Sequence, residues 1–231
     1  MFRKTFILIV SLIFILNVNT VYASDNIVAF TGEVSEKEVI DRSGEQAFLT
    51  KQWYDLKFEI APRNTSGTLK MQEVDSQEYL LALKEVRFPL EAAGEYKLYF
   101  LAHKLKDQFS TLALSFGDGS VVVFGNYGSL PQEKLHRLAV HELGHQIDFR
   151  LMTDAKWQEY RELRGIEDQN VYNDYTDVYQ NRPQEIFAED FRLIFGGEKA
   201  RLTEHLNSDL KSPSEMPELK EFFLSLTEQG A

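Results

Sequence analysis

Apolar residues in the middle of the chain form short runs of the length typical of buried strands. One run begins at Tyr96 and ends at Leu101, and another begins at Val121 and ends at Phe124. A β-prone segment, residues 111–116, precedes the second run, and the turn sequence Gly-Asp-Gly-Ser lies between them. Two β-prone segments joined by a short turn of glycine and aspartate predict a β-hairpin.

Helical patterns dominate the rest of the chain from residue 76 onward. Helices are predicted from Ser76 to Leu83, from Pro131 to Phe149, from Asp154 to Leu163, from Pro183 to the residue before Gly196, and from Pro217 to Thr227. Proline suits the first turn of a helix and glycine follows its end, which sets several of these limits. An acidic loop, residues 166–182, separates the third of these helices from the fourth.

The predicted helix that starts at Pro131 has two different faces. An apolar stripe recurs on it every four residues, at Leu135, Ala139, Leu143 and Ile147. His141 and His145 are also four residues apart, and two positions along the helix place them about 200° from that stripe. The pattern predicts that one face packs into a core while the other presents both histidines.

The motif on that second face, His141-Glu142-Leu143-Gly144-His145, has the spacing of a zinc site. Two histidines four apart on one helix can reach a single ion, and zinc accepts neutral imidazole nitrogens well. The glutamate between them is placed to take a proton from metal-bound water. The alternative is a chance match to the motif on a solvated helix.

A catalytic zinc usually has three protein ligands, so the motif needs a third residue. Glu185 and Glu189 lie four apart on the helix that begins at Pro183. The opposite face of that helix carries an apolar stripe of Phe187, Phe191 and Phe195. One carboxylate can bind zinc while the other accepts a hydrogen bond from a histidine ligand. The alternatives are an ordinary amphipathic helix with exposed acids, and Asp148 as the third ligand.

The chain begins with the features of a secretory leader. Arg3 and Lys4 precede an apolar run that begins at Phe6 and ends at Val18, and Ala23 provides a small residue at the cleavage position. Because the run is shorter than the about 20 apolar residues that span a membrane, we expect cleavage after Ala23 and secretion without a stable membrane anchor. An uncleaved N-terminal anchor is the alternative.

Charge and composition narrow the range of partners. The net charge is −11, and loss of Arg3 and Lys4 with the leader would make it −13, which disfavours nucleic acid and anionic membranes. The chain has no cysteine, so packing and bound metal must provide its stability. The mature chain has the size of one domain and is predicted to be a monomer. Its N-terminal α/β part is residues 24–95 and its catalytic region is residues 96–231.

Two segments make the sequence similar to the lethal-factor-like zinc metallopeptidases, the gluzincin family of the anthrax lethal factor catalytic domain and the small secreted Pro-Pro endopeptidases. They are residues 141–148, HELGHQID, and residues 185–191, EIFAEDF. The resemblance implies an α+β, zincin-like fold. In that fold a twisted mixed β-sheet lies over the active-site helix, and the C-terminal half is helical.

The resemblance also implies the roles of the site residues. One Zn²⁺ ion is held by His141, His145 and Glu185, with Glu142 as the base and Glu189 behind a ligand. The family stabilises the oxyanion with a tyrosine seven residues before the zinc glutamate, where this chain has Val178. Tyr179, the next residue, is the predicted donor, and Tyr172 and Tyr175 are the alternatives.

The predicted function is hydrolysis of peptide bonds in extracellular or host proteins by a secreted zinc-dependent endopeptidase. In zincins the strand before the active-site helix is an exposed edge, and a protein or peptide substrate lies along it as an added strand. Here that is the strand from Val121 to Phe124. The alternative is an exported, non-catalytic zinc-binding or toxin-like binding protein. Glu142 favours the enzyme, because a purely structural metal site has no use for a base.

Overall fold

The structure is a computed structural model, and it describes the chain in nine ranges. They are residues 19–24, 27–31, 58–60, 71–72, 74–94, 96–101, 103–105, 110–117 and 119–230. Much of the predicted leader, residues 1–23, and of the predicted N-terminal part, residues 24–95, lies outside the described residues.

The described strands form one mixed sheet and two short pairs. They are β1 (Asn19–Ser24), β2 (Ile27–Thr31), β3 (Phe58–Ile60), β4 (Met71–Gln72), β5 (Tyr96–Leu101), β6 (His103–Leu105), β7 (Ala113–Ser115), β8 (Ser120–Phe124) and β9 (Asn126–Tyr127). The main sheet has the order β1-β2-β5-β8-β7. Strand β5 runs parallel to both β2 and β8, whereas β1 and β7 are antiparallel to their neighbours. The short pairs are β3 with β6 and β4 with β9.

The predicted hairpin is confirmed as β7 and β8. Its turn is closed by the amide of Phe116, which donates to the carbonyl of Ser120 at 2.9 Å. Gly119 has φ = 88°, a value that residues with a side chain rarely adopt, and this requirement explains the glycine. The predicted strand from Tyr96 to Leu101 is confirmed as β5.

Strand β8 lies inside the sheet, with β5 on one side and β7 on the other, and all five of its residues are buried. The expectation that the strand from Val121 to Phe124 is an exposed edge is therefore wrong. The tight turn folds β7 back against it, so β7 uses the backbone hydrogen-bonding groups that an edge would offer. A run of valines suits an interior strand, because both of its faces are covered.

The five predicted helices are confirmed within the described residues, with limits that shift by one or two positions. They are α1 (Ser76–Lys84), α2 (Gln132–Leu151), α3 (Asp154–Arg164), α4 (Pro183–Phe195) and α5 (Pro217–Ser225). The side chains of Asp75 and Thr153 accept backbone hydrogen bonds at the starts of α1 and α3. Gly165, at φ = 69°, ends α3. Together with the mixed sheet, these helices give an α+β structure.

Helix α2 is the centre of this arrangement, packed between α1 and α4. Its predicted apolar stripe is fully buried. At the crossing with α4, a β-carbon added to Gly144 would lie 2.7 Å from the α-carbon of Ala188. The two helices therefore touch backbone to backbone, which only glycine permits at this position.

The predicted leader overlaps the first strand. Residues 19–23 belong to β1, which ends at Ser24. Cleavage after Ala23 would thus remove all of this strand except Ser24 and leave β2 at that edge of the sheet. Among the described residues, none of the helices combines the length and the apolar character needed to cross a membrane.

Candidate metal centre

Helix α2 brings its two motif histidines side by side. His141 and His145 are one turn apart, and their Nε2 atoms are separated by 3.2 Å. Each histidine is largely shielded from solvent, with 11% and 13% of the side chain exposed. Only one proton fits between the two Nε2 atoms, so at least one of these nitrogens keeps a free lone pair. Two histidines in this arrangement therefore favour a metal cation between them.

Helix α4 adds the carboxylate of Glu185 to the pair. Its Oε2 atom lies 3.1 Å from Nε2 of His141 and 3.5 Å from Nε2 of His145. A tetrahedral zinc ion at about 2.0–2.2 Å from its ligands separates any two of them by roughly 3.3–3.6 Å. The triangle of donor atoms therefore has the size of a zinc site, and two imidazoles with one carboxylate are donors that zinc accepts. Among the described residues, only these three form such a cluster.

Glu189 lies behind His141 and fixes the orientation of its ring. Its Oε1 atom is 2.9 Å from Nδ1 of His141. Because a carboxylate can only accept, Nδ1 carries a proton, and Nε2 is the nitrogen that faces Glu185 and can bind a metal ion. The side chain of Glu189 is fully buried, so the expected alternative of two exposed acids on α4 is wrong.

Two arginines hold Glu189 in place. Arg192, one turn further along α4, donates from Nε and Nη2 at 3.1 and 2.8 Å, and Arg137 on α2 donates at 3.2 Å. Arg192 is completely buried and also donates to the backbone carbonyls of Ala200 and Glu204. The position of His141 is thus set through Glu189 by a buried arginine.

The close contacts between these histidines and glutamates shift the pKa values of their side chains. Burial lowers the pKa of His141, but hydrogen bonds to Glu185 and Glu189 outweigh it and raise the pKa to about 10. Burial also opposes ionisation of the two glutamates, yet hydrogen bonds to the histidines, and to Arg192 for Glu189, hold both carboxyl pKa values well below their usual range. Both carboxylates are therefore ionised and His141 holds a proton between them, so a metal ion bound by these ligands would displace that proton.

The glutamate of the motif, Glu142, has a different neighbour. The hydroxyl of Ser115, on the edge strand β7, donates to Oε2 of Glu142 at 2.7 Å, and it lies 3.1 Å from the backbone carbonyl of the same residue. One carboxylate oxygen is thus fixed from the sheet while the other stays available as an acceptor.

The structure brings Tyr179 to the centre and leaves the two alternative tyrosines elsewhere. Burial of its hydroxyl raises the pKa of Tyr179 above the usual value, and the charge of Glu185 and a hydrogen bond to it add to the rise. Tyr175 is 93% exposed, and Tyr172 packs against the hydrophobic core. Tyr179 begins the short 3-10 turn Tyr179–Asn181, and 47% of the residue is exposed.

Asp148, the alternative third ligand, does not join the triangle of donor atoms. It is buried near the C-terminal end of α2, and burial raises its carboxyl pKa to about 6. A hydrogen bond from Trp157 and the charge of His145 partly oppose that rise. Its contacts match those of a structural acid.

Sequence reasoning missed several residues that build the centre. Arg192 follows Glu189 by three positions, so the helical i, i+3 spacing of opposite charges could have found it. Ser115 and Arg137 reach their partners from 27 and 52 residues away, and nothing in the sequence marks those pairings.

Searches against protein-family models, curated proteins and solved structures return no match to this chain.

Proposed function

We propose that this chain is a secreted zinc-dependent endopeptidase that hydrolyses peptide bonds in extracellular or host proteins. The convergence of His141, His145 and Glu185 within zinc-binding distance of one point carries the proposal. Glu142 follows His141 by one residue, about 100° around the helix, so it is placed beside the metal and not on it. A base in that position favours hydrolysis over simple metal storage.

The proposal extends to the family. The two segments that resemble the lethal-factor-like zinc metallopeptidases lie on α2 and α4, which contact each other at Gly144 and Ala188. The mixed sheet, the central motif helix and the helical C-terminal half support a zincin-like fold. Glu189 bonded to His141 supports the role that the resemblance implies for it.

Each side chain has a distinct task in the proposed reaction. Zinc, when held by the three ligands, supplies the Lewis acidity that polarises the scissile carbonyl and activates water. Glu142 accepts a proton from the attacking water and passes it to the leaving amine. Ser115 keeps the Glu142 carboxylate in one orientation meanwhile. Tyr179, whose hydroxyl carries its proton at neutral pH, donates a hydrogen bond to the developing oxyanion.

The edge strand β7 is the proposed position of the substrate backbone. It is the outer strand of the sheet on this side, antiparallel to β8. Ser115, its last residue, contacts Glu142 directly. An extended peptide that pairs with β7 would therefore pass beside the base, which a peptide on the interior strand β8 could not do.

Metal removal tests the proposal directly. Purified mature protein is stripped with a chelator and incubated with a mixed peptide library, with and without one equivalent of zinc, and the products are read by mass spectrometry. We expect cleavage at internal peptide bonds only when zinc is restored. Zinc-loaded protein that binds peptides and leaves every one intact would contradict the proposal and favour the non-catalytic binding protein.

A further inference from the structure

The turn that bears Tyr179 has little hydrogen bonding of its own. Within Tyr179–Asn181, the amide of Asn181 donates to the carbonyl of Val178 at 2.9 Å, and the amide of Arg182 donates to the carbonyl of Tyr179 at 3.1 Å. A three-residue turn in a long loop does not hold a side chain in one place by itself. The position of Tyr179 therefore depends on contacts from outside the turn.

Asn207 supplies such contacts from a later part of the chain. Its side chain is buried, with 1% of the residue exposed. The amide nitrogen Nδ2 donates to the carbonyl of Gln180 and to Oδ1 of Asn181, both at 3.0 Å. Gln180 and Asn181 are the two residues after Tyr179, so one buried amide bonds to the rest of the turn that carries the tyrosine.

Asn207 is itself fixed to the interior of the protein. Its Oδ1 atom accepts from the amide of Asp209 at 3.0 Å, and its own amide donates to Nδ1 of His205 at 2.9 Å. Nε2 of that histidine lies 3.2 Å from Asp190, a buried carboxylate on α4 that accepts two hydrogen bonds from Arg164. Asn207 is thus hydrogen-bonded to its own segment, and that segment contacts α4, the helix that provides Glu185, at Asp190.

We propose that Asn207 is a positioning residue for Tyr179: its buried amide holds the Tyr179–Asn181 turn so that the tyrosine hydroxyl faces the metal centre. The inference rests on the proposed function for its kinetic consequence. The chemistry requires an amide, because the two groups that face Nδ2 are both oxygen acceptors. A carboxylate at this position would meet them with a third acceptor and no proton to share.

A double-mutant cycle tests this role. Asn207→Ala in otherwise wild-type protein should lower kcat by about threefold to thirtyfold with KM and zinc content unchanged, since a small displacement of a catalytic group slows chemistry without altering binding. In the Tyr179→Phe background the same change should have no further effect. Asn207→Asp keeps the oxygen that accepts from the amide of Asp209 and removes only the NH2 group that donates to the turn. It therefore repeats the test if the alanine variant does not fold.

Asn173→Ala is the matched control. This asparagine lies on the same loop and also bonds to backbone, from its amide to Gln169 and to its oxygen from Tyr175. It precedes the turn and does not touch it, so kcat should stay within about twofold of wild type.

Hydrogen exchange gives a readout that needs no activity. The backbone amides of Asn181 and Arg182 should exchange at least about tenfold faster in Asn207→Ala than in wild type or Asn173→Ala. Unchanged exchange overturns the proposal whatever the protein catalyses. Faster exchange with an equal kcat loss in both Tyr179 backgrounds also overturns it, because Asn207 would then act on stability alone. A zinc-loaded wild type without activity contradicts the proposed function instead, and exchange alone then decides whether Asn207 holds the turn.

Discussion

The proposed zinc ligands and Tyr179 come from two regions that are built in different ways. Helices α2 and α4 carry the ligands, and they meet at a backbone contact between Gly144 and Ala188. The turn Tyr179–Asn181 carries the tyrosine and accepts two hydrogen bonds from the side chain of Asn207. Periodic backbone bonds fix the first region, whereas individual side chains fix the second.

The difference explains what each region can tolerate. A ligand on a helix keeps its direction as long as the helix and its packing remain, because every turn supports the next. A residue on a loop keeps its direction only while each of its few anchors remains. We therefore expect substitutions near the ligands to act on metal binding and stability, and substitutions near the turn to act on the rate of reaction.

The largest expected effect comes from removing a proposed zinc ligand on helix α4. Glu185→Ala should reduce zinc from about one ion per chain to almost none and abolish peptide cleavage, because two histidines do not complete a three-ligand site. Elemental analysis of the purified variant measures this. The matched control is Glu133→Ala, which removes an exposed glutamate from the first turn of α2. Full zinc in Glu185→Ala would mean that another residue, such as Asp148, is the third ligand.

A substitution in the turn Tyr179–Asn181 should change kcat. Tyr179→Phe should lower kcat by about tenfold to a thousandfold with little change in KM, as expected when one oxyanion donor is lost. Zinc content should stay the same, because no ligand is altered. Tyr175→Phe is the control, since that ring lies on the same loop and is 93% exposed. Equal rates for Tyr179→Phe and wild type would remove the tyrosine from the mechanism.

The helix contact can be tested without touching a ligand. Gly144→Ala forces a methyl group to within 2.7 Å of the Ala188 α-carbon, so the helices must separate. We expect a loss of about 1–3 kcal/mol in the free energy of unfolding, measured by denaturant titration, together with weaker zinc binding. Gly117→Ala is the control, because the nearest atom to its added methyl group is 4.0 Å away. Wild-type stability and zinc affinity for Gly144→Ala would disprove the close contact.

The smallest expected effect comes from the sheet. Ser115→Ala removes the hydroxyl that holds Glu142 and should lower kcat about twofold to tenfold, the value of one net hydrogen bond of about 0.5–1.5 kcal/mol. Ser115→Thr keeps the hydroxyl and should retain most of the rate. If the alanine and threonine variants lose the same activity, the hydrogen bond has no role in positioning the base.

The difference between periodic helices and individually anchored loops also determines how much of the protein could be predicted from its sequence. The five helices and the pairing of β7 with β8 follow from periodicity, proline and glycine, and they lie close to their predicted positions. Helical spacing predicted that His141 and His145 share one face and that Glu185 and Glu189 share another, and the need for a third zinc ligand, together with the family resemblance, placed both pairs in one site. The structure brings them together.

Side-chain hydrogen bonds between residues far apart in the sequence could not be predicted, because no periodic pattern marks them. Ser115 and Asn207 bind residues 27 and 26–27 positions away through single side chains. The place of β8 in the sheet was also predicted wrongly, because the expectation of an exposed edge came from the family resemblance, whereas the hairpin partner β7 covers that side of β8. The strands that pair as β3 with β6 and β4 with β9 have only two or three residues each, too few to show an alternating pattern.

The most direct test of the central claim is the peptidase activity of zinc-loaded Glu142→Gln, measured on the same sample as its zinc content. Glutamine keeps the size of the side chain and its place beside Ser115, but it cannot accept the proton. We expect about one zinc per chain, unchanged stability and a loss of activity of at least about 10²–10⁴-fold. Cleavage at the wild-type rate by a fully zinc-loaded Glu142→Gln protein would contradict the account.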